Sequence, residues 1–299
     1  MIGDSENQGL IPRSIQLLFD TKASMEKKCK AQKQDVNIDI AVELVQIYNE
    51  EVYDLLPPDA GPNGELLKVD VNSHEAVGNC RVIATCKQDV DNVLQLAQSR
   101  RCVKATKSNA ESSRSHLPFT IHFNVSSDSN KDLVRNGCLH IIDLAGSERV
   151  DKSGSVGDRL TEAKHINTSL FVLSLVIEKL QEEQKLQKKS NSKQKKKPCI
   201  PYSHSKLTYL LRNSLGGDSK TLAIVCCSPS QDHFHESHNS IRFAAKASKV
   251  ELKEGNKVDV WFYGATCISL FSAIIYLVNN VKSRANSALY PTALWYQGK

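Results

Sequence analysis

Gly137-Cys-Leu-His-Ile-Ile-Asp143-Leu-Ala-Gly-Ser-Glu148 is the stretch on which the reading of the fold turns. An apolar run ends in an aspartate, and Gly146 follows it closely. A run of this kind bounded by a Gly-containing loop predicts a buried strand of an α/β sheet. An Asp at the C-terminal end of such a strand can hold the water shell of Mg²⁺. A Gly there lets a backbone N–H approach a terminal phosphate with no side chain in the way. Alone, the D-x-x-G spacing reads more simply as a polar strand end with a turn glycine.

A second polar segment, Asn109-Ala-Glu-Ser-Ser-Arg-Ser-His116, precedes it. Ser112 and Ser113 offer hydroxyls that could coordinate Mg²⁺ or position a nucleophilic water. Arg114 could pair with Glu148, so that one loop reports to the other. The plainer alternative is a polar connection, although hydroxyl, Arg and His groups packed this closely are unusual for one.

The 299 residues suffice for one large domain or two small ones. Hydrophobic residues make up 40% and charged residues 24%, the proportions of a globular rather than a disordered chain. The net charge of +6 is a mild basic excess, suited to an acidic partner such as nucleic acid, a membrane surface or an acidic protein. Nine cysteines without a C-x-x-C pair favour reduced thiols in a cytosolic protein over a disulfide framework. The first residues show neither a basic segment nor an apolar core, so no secretory signal is expected.

Outward from the two segments, strands and helices alternate. Ile15, Leu18 and Phe19 recur at helical spacing after Gly9-Leu-Ile-Pro12. Ile38, Ile40, Val42 and Leu44 share one parity, predicting a strand that runs on to Tyr48. Glu50–Leu56 reads as a short helix stopped by Pro57-Pro58, with the Glu50-Glu51 pair a solvated helix start. Leu66–Val71, Arg81–Cys86, Phe119–Val125 and Thr221–Cys227 read as strands. Asp89 is a candidate N-cap for a helix carrying Val93, Leu94 and Ala97. Ala163, Ile166, Leu170, Leu173, Ile177 and Leu180 form one apolar stripe, predicting a helix over Leu160–Leu180. Lys185–Lys197 holds seven lysines and no acid, which predicts a solvated loop. Leu207, Leu210 and Leu211 mark a helix ending at Gly216-Gly217, and Glu236–Val250 a final helix. The pattern is that of a layered α/β domain.

Taken together, Ser112-Ser-Arg-Ser-His116 and Asp143-Leu-Ala-Gly-Ser-Glu148 resemble switch I and switch II of the kinesin family. Further family-like strings occur in the expected order: Gly9-Leu-Ile-Pro-Arg13, Ile47-Tyr-Asn-Glu-Glu-Val-Tyr-Asp-Leu-Leu56, Ile166-Asn-Thr-Ser-Leu170, Ser205-Lys-Leu-Thr208, Ser214-Leu-Gly-Gly217 and Arg242-Phe-Ala244. The resemblance covers residues 1–252. Ser153–Leu160 and Glu236–Ala245 look most like the C-terminal-motor, minus-end-directed subfamily.

The resemblance implies a kinesin-like P-loop NTPase fold, with a central mixed sheet flanked by helices. It implies ATP and Mg²⁺ as ligands and microtubules as the partner, in the cytoplasm and on the microtubule cytoskeleton, the spindle included. No nucleic-acid partner is expected, and a membrane partner is not favoured. Residue by residue, Asn109 matches a contact to the nucleotide region. Ser112 and Ser113 match the residues serving γ-phosphate, water and Mg²⁺. Arg114 and Glu148 match the gate that closes over ATP and helps activate water. Asp143 matches the Mg²⁺-linked acid and Gly146 the γ-phosphate sensor, and His116 joins them as a cofactor-site residue. The Leu160–Leu180 helix resembles the element that docks on tubulin and shifts with nucleotide state. Pro201–Arg212 resembles the adjoining interface, with Lys206 and Arg212 as charge contacts. Lys185, Lys188, Lys189, Lys193, Lys195, Lys196 and Lys197 would form a salt-sensitive tether for acidic tubulin tails. A nuclear-localisation signal and an inconsequential loop remain alternatives for that run.

Three departures stand against the resemblance. No G-x-x-x-x-G-K-[ST] string occurs, so the nest of N–H groups and the lysine for β/γ-phosphates are missing from this sequence. By analogy the chain begins just after that loop and lacks N-terminal strands, one of them central. The expectation is therefore a partial motor domain, an uncertain ATPase, or a non-catalytic microtubule-binding module. Second, Ser203 stands where the family usually has Arg. Third, the likeness ends near Glu251. Residues 253–299 form a tail in which Trp261–Val278 is uncharged and apolar, readable as a marginal membrane span of an anchored adaptor or as a packed or spurious segment. His233, His235 and His238, beside Asp232 and Glu236, read as a solvated cluster before a metal site.

Overall fold

Asn37–Tyr48 forms the long strand β1, and the sheet is built outward from it. Its alternation sends Ile40, Val42 and Leu44 to one face and Val45 and Ile47 to the other, all of them buried. The computed structural model describes residues 1–3, 6–61, 64–70, 75–102, 114–127, 135–146, 158–189, 198–216, 219–251, 259–264 and 273–279. For 102, 158–167, 188–189, 259–264 and 273–279 it describes the backbone alone.

After β1 the chain reverses through Asn49 and Glu50, whose φ angles are +53° and +60°. It returns as β2 (Glu51–Asp54), paired antiparallel with β1 from Tyr48↔Glu51 to Val45↔Asp54. The helix expected over Glu50–Leu56 is therefore a hairpin arm. Two consecutive positive φ values make the reversal a two-residue turn whose twist suits adjoining strands. Val52 then finds a cross-strand partner in Ile47 that an isolated helical turn would not supply.

Strands β3 (Glu65–Val69) and β4 (Ala76–Val77) continue the sheet outward from β2, and β5 (Val82–Ala84) pairs with the first half of β1. On the other side of β1 lie β6 (Leu117–Ser126) and β7 (Arg135–Asp143), each antiparallel to its neighbour. Beyond them come β8 (Ser219–Cys227), β9 (Asp259–Gly264) and β10 (Ala273–Asn279). The spatial order is β4-β3-β2-β1-β6-β7-β10-β8-β9, with β5 on β1 outside this path. β7 and β8 point the same way, β10 runs against both, and β9 is parallel to β8. The sheet is mixed, as the resemblance implied.

The apolar tail contributes two of these strands. β10 fills the interior position between β7 and β8, with six residue pairs to the first and seven to the second. The backbone groups of both neighbours find partners there. Among the described residues no helix is long and apolar enough to cross a membrane.

Helices cover both faces. α1 (Leu10–Ala31) and α2 (Lys87–Cys102) pack Ile11, Ile15, Val90 and Leu94 on Val42, Phe119, Ile121 and Ile141. On the opposite face, α3 (Asp158–Lys189), α4 (Lys206–Leu210), α5 (Arg212–Gly216) and α6 (Phe234–Ala247) close over Val45, Ile47 and Ile142 with Leu173, Ile177, Leu207, Leu211 and Ala247.

Three boundaries differ from expectation. Asp89 lies inside the first turn of α2 rather than capping it. Its carboxylate reaches back to accept from the Thr85 and Cys86 N–H groups at 2.8 and 3.1 Å and from the Thr85 hydroxyl at 2.7 Å. Those bonds hold its pKa down to about 2. The helix foreseen before Gly216 is broken at Leu211 into α4 and α5. α3 runs on past Leu180, so Lys185, Lys188 and Lys189 are helical rather than part of a loop. Gln, Lys and Leu are good helix formers, and Gln184 ties this extension down by accepting from the Glu251 N–H at 2.9 Å.

Candidate functional site

Asp143 is the last residue of β7, and Leu144, Ala145 and Gly146 follow as a buried turn. Burial pushes the Asp143 carboxyl up from its ordinary value, while the N-terminal amine and the Arg101 guanidinium pull it down. A carboxyl raised by burial is one whose ionised form a nearby cation would favour. The described acid thus fits the role of holding Mg²⁺ through water, and the buried Gly146 presents no side chain to a phosphate.

His116 sits at the start of the neighbouring strand β6. Its backbone bridges to Ile47 at the end of β1, donating at 3.0 Å and accepting at 2.8 Å. Its ring lies between the Asp143 turn and α3. The Ala145 N–H donates to Nδ1 at 3.0 Å, and Nε2 meets the Ser169 hydroxyl at 2.8 Å. An Nδ1 that accepts carries no proton, so the neutral ring carries its proton on Nε2 and donates to Ser169 Oγ. Burial, and secondarily the Arg101 charge, lower the His116 pKa to about 3. Both ring nitrogens are committed within the protein. His116 therefore braces the Asp143 turn against α3.

Arg101, in the last turn of α2, donates from Nη2 to the Ser115 hydroxyl at 3.1 Å. Arg101, Ser115 and Ser169 are all buried and escaped the sequence reading. Their only signal was position, a basic residue at a helix end and two serines inside the family-like strings. Of the residues singled out, Arg114 is half-buried beside Ser115. Asn109, Ser112, Ser113 and Glu148 lie outside the described residues, and with them the Arg114–Glu148 gate and the Ser113 metal contact.

On the expected tubulin face, Lys185, Lys206 and Arg212 are exposed, and the Arg212 guanidinium lies 5.4 Å from the centre of the Tyr202 ring. Lys188 and Lys189 are placed by their backbone only, and Lys193, Lys195, Lys196 and Lys197 are outside the described residues. Phe171 on α3 is 66% exposed among buried neighbours Val172 and Leu173. Glu50, read as a solvated helix start, instead fastens α4. Its carboxylate accepts from the Ser205 hydroxyl at 2.9 Å and from the Lys206 N–H at 2.7 Å. The partner lies 155 residues along the chain, beyond any local pattern.

A cleft of about 450 Å³ between β1, β6, β7 and α4 is lined by Glu43, His122, Cys138, His140 and Leu207, and by none of Asp143, Gly146 or His116. Glu43 lies 2.6 Å from Arg81 and 3.0 Å from His122 Nε2, the latter approach being an ion-pair distance without hydrogen-bond alignment. Burial raises the Glu43 pKa, but His122 and Arg81 together outweigh it and hold the pKa below the ordinary value. Burial lowers His140 to about 4 and raises the Cys138 thiol to about 12, so their 3.3 Å approach is not an activated thiolate pair. His233, His235 and His238 are exposed around Phe234, and no group of His, Cys, Asp and Glu among the described residues could hold a metal ion.

A mixed sheet with helices on both faces, and an Asp-led turn leaving an interior strand, define a layered α/β domain of the P-loop NTPase class. The sequence matches the family model described as "Kinesin motor domain" over residues 1–250, and the chain belongs to that family. It is 38% identical over 261 residues to Kinesin-like protein KIN-14C of Arabidopsis thaliana, covering 83% of this chain and 30% of the relative. It is 38% identical over 248 residues to Carboxy-terminal kinesin 2 of Xenopus laevis (82% and 36%) and 38% identical over 255 residues to Kinesin-like protein unc-104 of Caenorhabditis elegans (83% and 15%). The chain thus spans about a third or less of the length of these relatives. Among solved structures it resembles a KIF14 dimer with AMP-PNP in complex with a microtubule, at TM-score 0.68 and 29% identity, covering 87% of this chain and 69% of that one. It also resembles the C-terminal motor and motor homology domain of Kar3Vik1, at TM-score 0.59 and 34% identity, covering 80% and 57%.

Proposed function

We propose that residues 1–252 are the switch-bearing, microtubule-docking part of a kinesin motor domain, and that the complete motor couples ATP hydrolysis to movement on microtubules. The carrying observation is the meeting, in one buried contact, of the Asp143–Gly146 turn and the long helix α3, whose outer side exposes Phe171. The microtubule-bound relative supports tubulin as the partner. Lys206, Arg212 and the lysines of 185–197 would meet its acidic surface, the run acting as a salt-sensitive tether. Asp143 and Ser113 would hold Mg²⁺, Asn109 and Gly146 would face the nucleotide, and Ser112, Arg114 and Glu148 would position the attacking water. The metal supplies charge neutralisation at the phosphates when bound. Within the family, the plant KIN-14, Xenopus carboxy-terminal and Kar3 relatives favour the C-terminal-motor subfamily, and the place of action is the microtubule cytoskeleton, the spindle included.

A second reading, a microtubule-binding module without catalysis, is favoured for this polypeptide by the absence of a G-x-x-x-x-G-K-[ST] string from its sequence. Co-sedimentation with microtubules at low and high salt tests docking. Fluorescent ATP binding with Mg²⁺ and phosphate release separate the two readings. Docking without nucleotide binding selects the module, and a folded protein that ignores microtubules sinks both.

A further inference from the structure

We propose that His116 is a positioning residue that couples the Asp143–Gly146 turn to α3, so that displacement of one is felt by the other. The inference rests on the reading above only for what α3 docks on. The coupling itself is a property of the free chain.

The argument starts from how few ways the ring can be held. His116 is fixed at its backbone by two hydrogen bonds to Ile47, so its Cα cannot follow either partner. Its side chain is buried, and its two nitrogens serve different elements: Nδ1 the Ala145 amide, Nε2 the hydroxyl of Ser169 on α3. The two bonds have fixed and opposite polarity, one accepting and one donating, and they share one rigid plane. Any rotation that follows Ser169 turns Nδ1 away from the Ala145 N–H, and a movement of the turn does the reverse. A buried amide that loses its acceptor is costly, so the two bonds tend to be kept or lost together. Ala145 stands between Asp143 and Gly146, so the amide that the ring holds belongs to the phosphate-facing turn. Burial, and secondarily the positive Arg101 beside the site, keep the ring neutral. A protonated ring would set an Nδ1–H against the Ala145 N–H, two donors facing each other.

The arrangement separates two conservative substitutions. His116→Asn keeps an acceptor near the Nδ1 position and loses the reach to α3. His116→Gln keeps a donor near the Nε2 position and loses the acceptor for Ala145. Ser169→Ala leaves the ring intact and removes its anchor on α3.

The test is amide hydrogen exchange on the full chain, with the core amides of Ile121 and Ile141 as internal reference. In Ser169→Ala the Ala145 amide is expected to exchange about five- to tenfold faster relative to those references, the worth of one hydrogen bond. The same selective acceleration is expected in His116→Gln. If Ser169→Ala speeds Ala145 no more than Ile121 and Ile141, the serine acts only through global stability and the coupling is refuted. A second arm adds microtubules. Wild type is expected to change exchange over 143–146 on docking, whereas Ser169→Ala docks but leaves that segment unchanged. Failure of wild type to dock would overturn the microtubule reading and leave the first arm to decide the coupling. Docking with an equal response in both proteins would refute the coupling.

Discussion

Acidification from pH 7.5 to 5.5 should unload stability through two buried histidines. His116 and His140 fall from an ordinary 6.5 to about 3 and about 4 in the folded chain, both chiefly because burial disfavours the charged ring. In the unfolded chain both rings bind protons as pH falls through 6.5, while in the folded chain they do not. The unfolded state then carries more protons, so folding stability rises with pH across this window and falls on acidification. Each ring costs about 1.4 kcal/mol over those two pH units, and the pair about 2.7 kcal/mol. That is a large share of the ~5–15 kcal/mol typical of a domain. The raised Asp54 and Asp143 act with the opposite sign, their ionisation weighing against the fold as pH rises. A difference measurement removes them: His140→Asn keeps a polar group toward Thr120, whose hydroxyl lies 2.9 Å from Nδ1, and does not titrate. Urea melts of both proteins at pH 7.5, 6.5 and 5.5 should show wild type losing about 1.4 kcal/mol more than the variant. Equal losses in the two proteins would refute a neutral buried ring at His140.

Phe119→Ala empties a fully buried position at the centre of the α1/α2 core and should cost about 3–5 kcal/mol in a urea melt. Glu50→Ala removes two acceptors from the first turn of α4. A loss of about 1–3 kcal/mol is expected, with weakened microtubule co-sedimentation if α4 faces tubulin, and an unchanged melt would mean that Glu50 holds nothing. Leu277→Pro in β10 removes a ladder donor from the sheet interior, and truncation before Asp259 strips the pairs from both β7 and β8. At about 1 kcal/mol per lost bond, truncation rivals the stability of a whole domain. It should abolish the cooperative melt, and a soluble truncated chain with an unchanged midpoint would show that the tail is not part of the sheet. Below the ordinary Glu value of 4.5, protonation of Glu43 should cost further stability as pH falls through its lowered pKa, an effect that Glu43→Gln removes.

Local order was legible in the chain where the pattern is local. The parity of Ile38 to Leu44 announced β1, the stripe ending in Leu173, Ile177 and Leu180 announced α3, and the Asp143 and Ser112–His116 strings together identified the family. What misled was equally local. Glu50–Leu56 has the composition of a helix start, and only pairing with β1 makes it a strand. The apolar Trp261–Val278 read either as a marginal span or as a packed segment, and only the slot between β7 and β8 makes part of it β10.

Sequence alone determined the family, because its strings set particular groups at short fixed spacings along the chain. Tertiary structure alone decided what those groups lean on: His116 on Ser169, Arg101 on Ser115, Glu50 on the head of α4. These contacts join residues 14 to 155 positions apart, and a hydrogen bond depends on distance and angle in space, which no periodicity along the chain encodes.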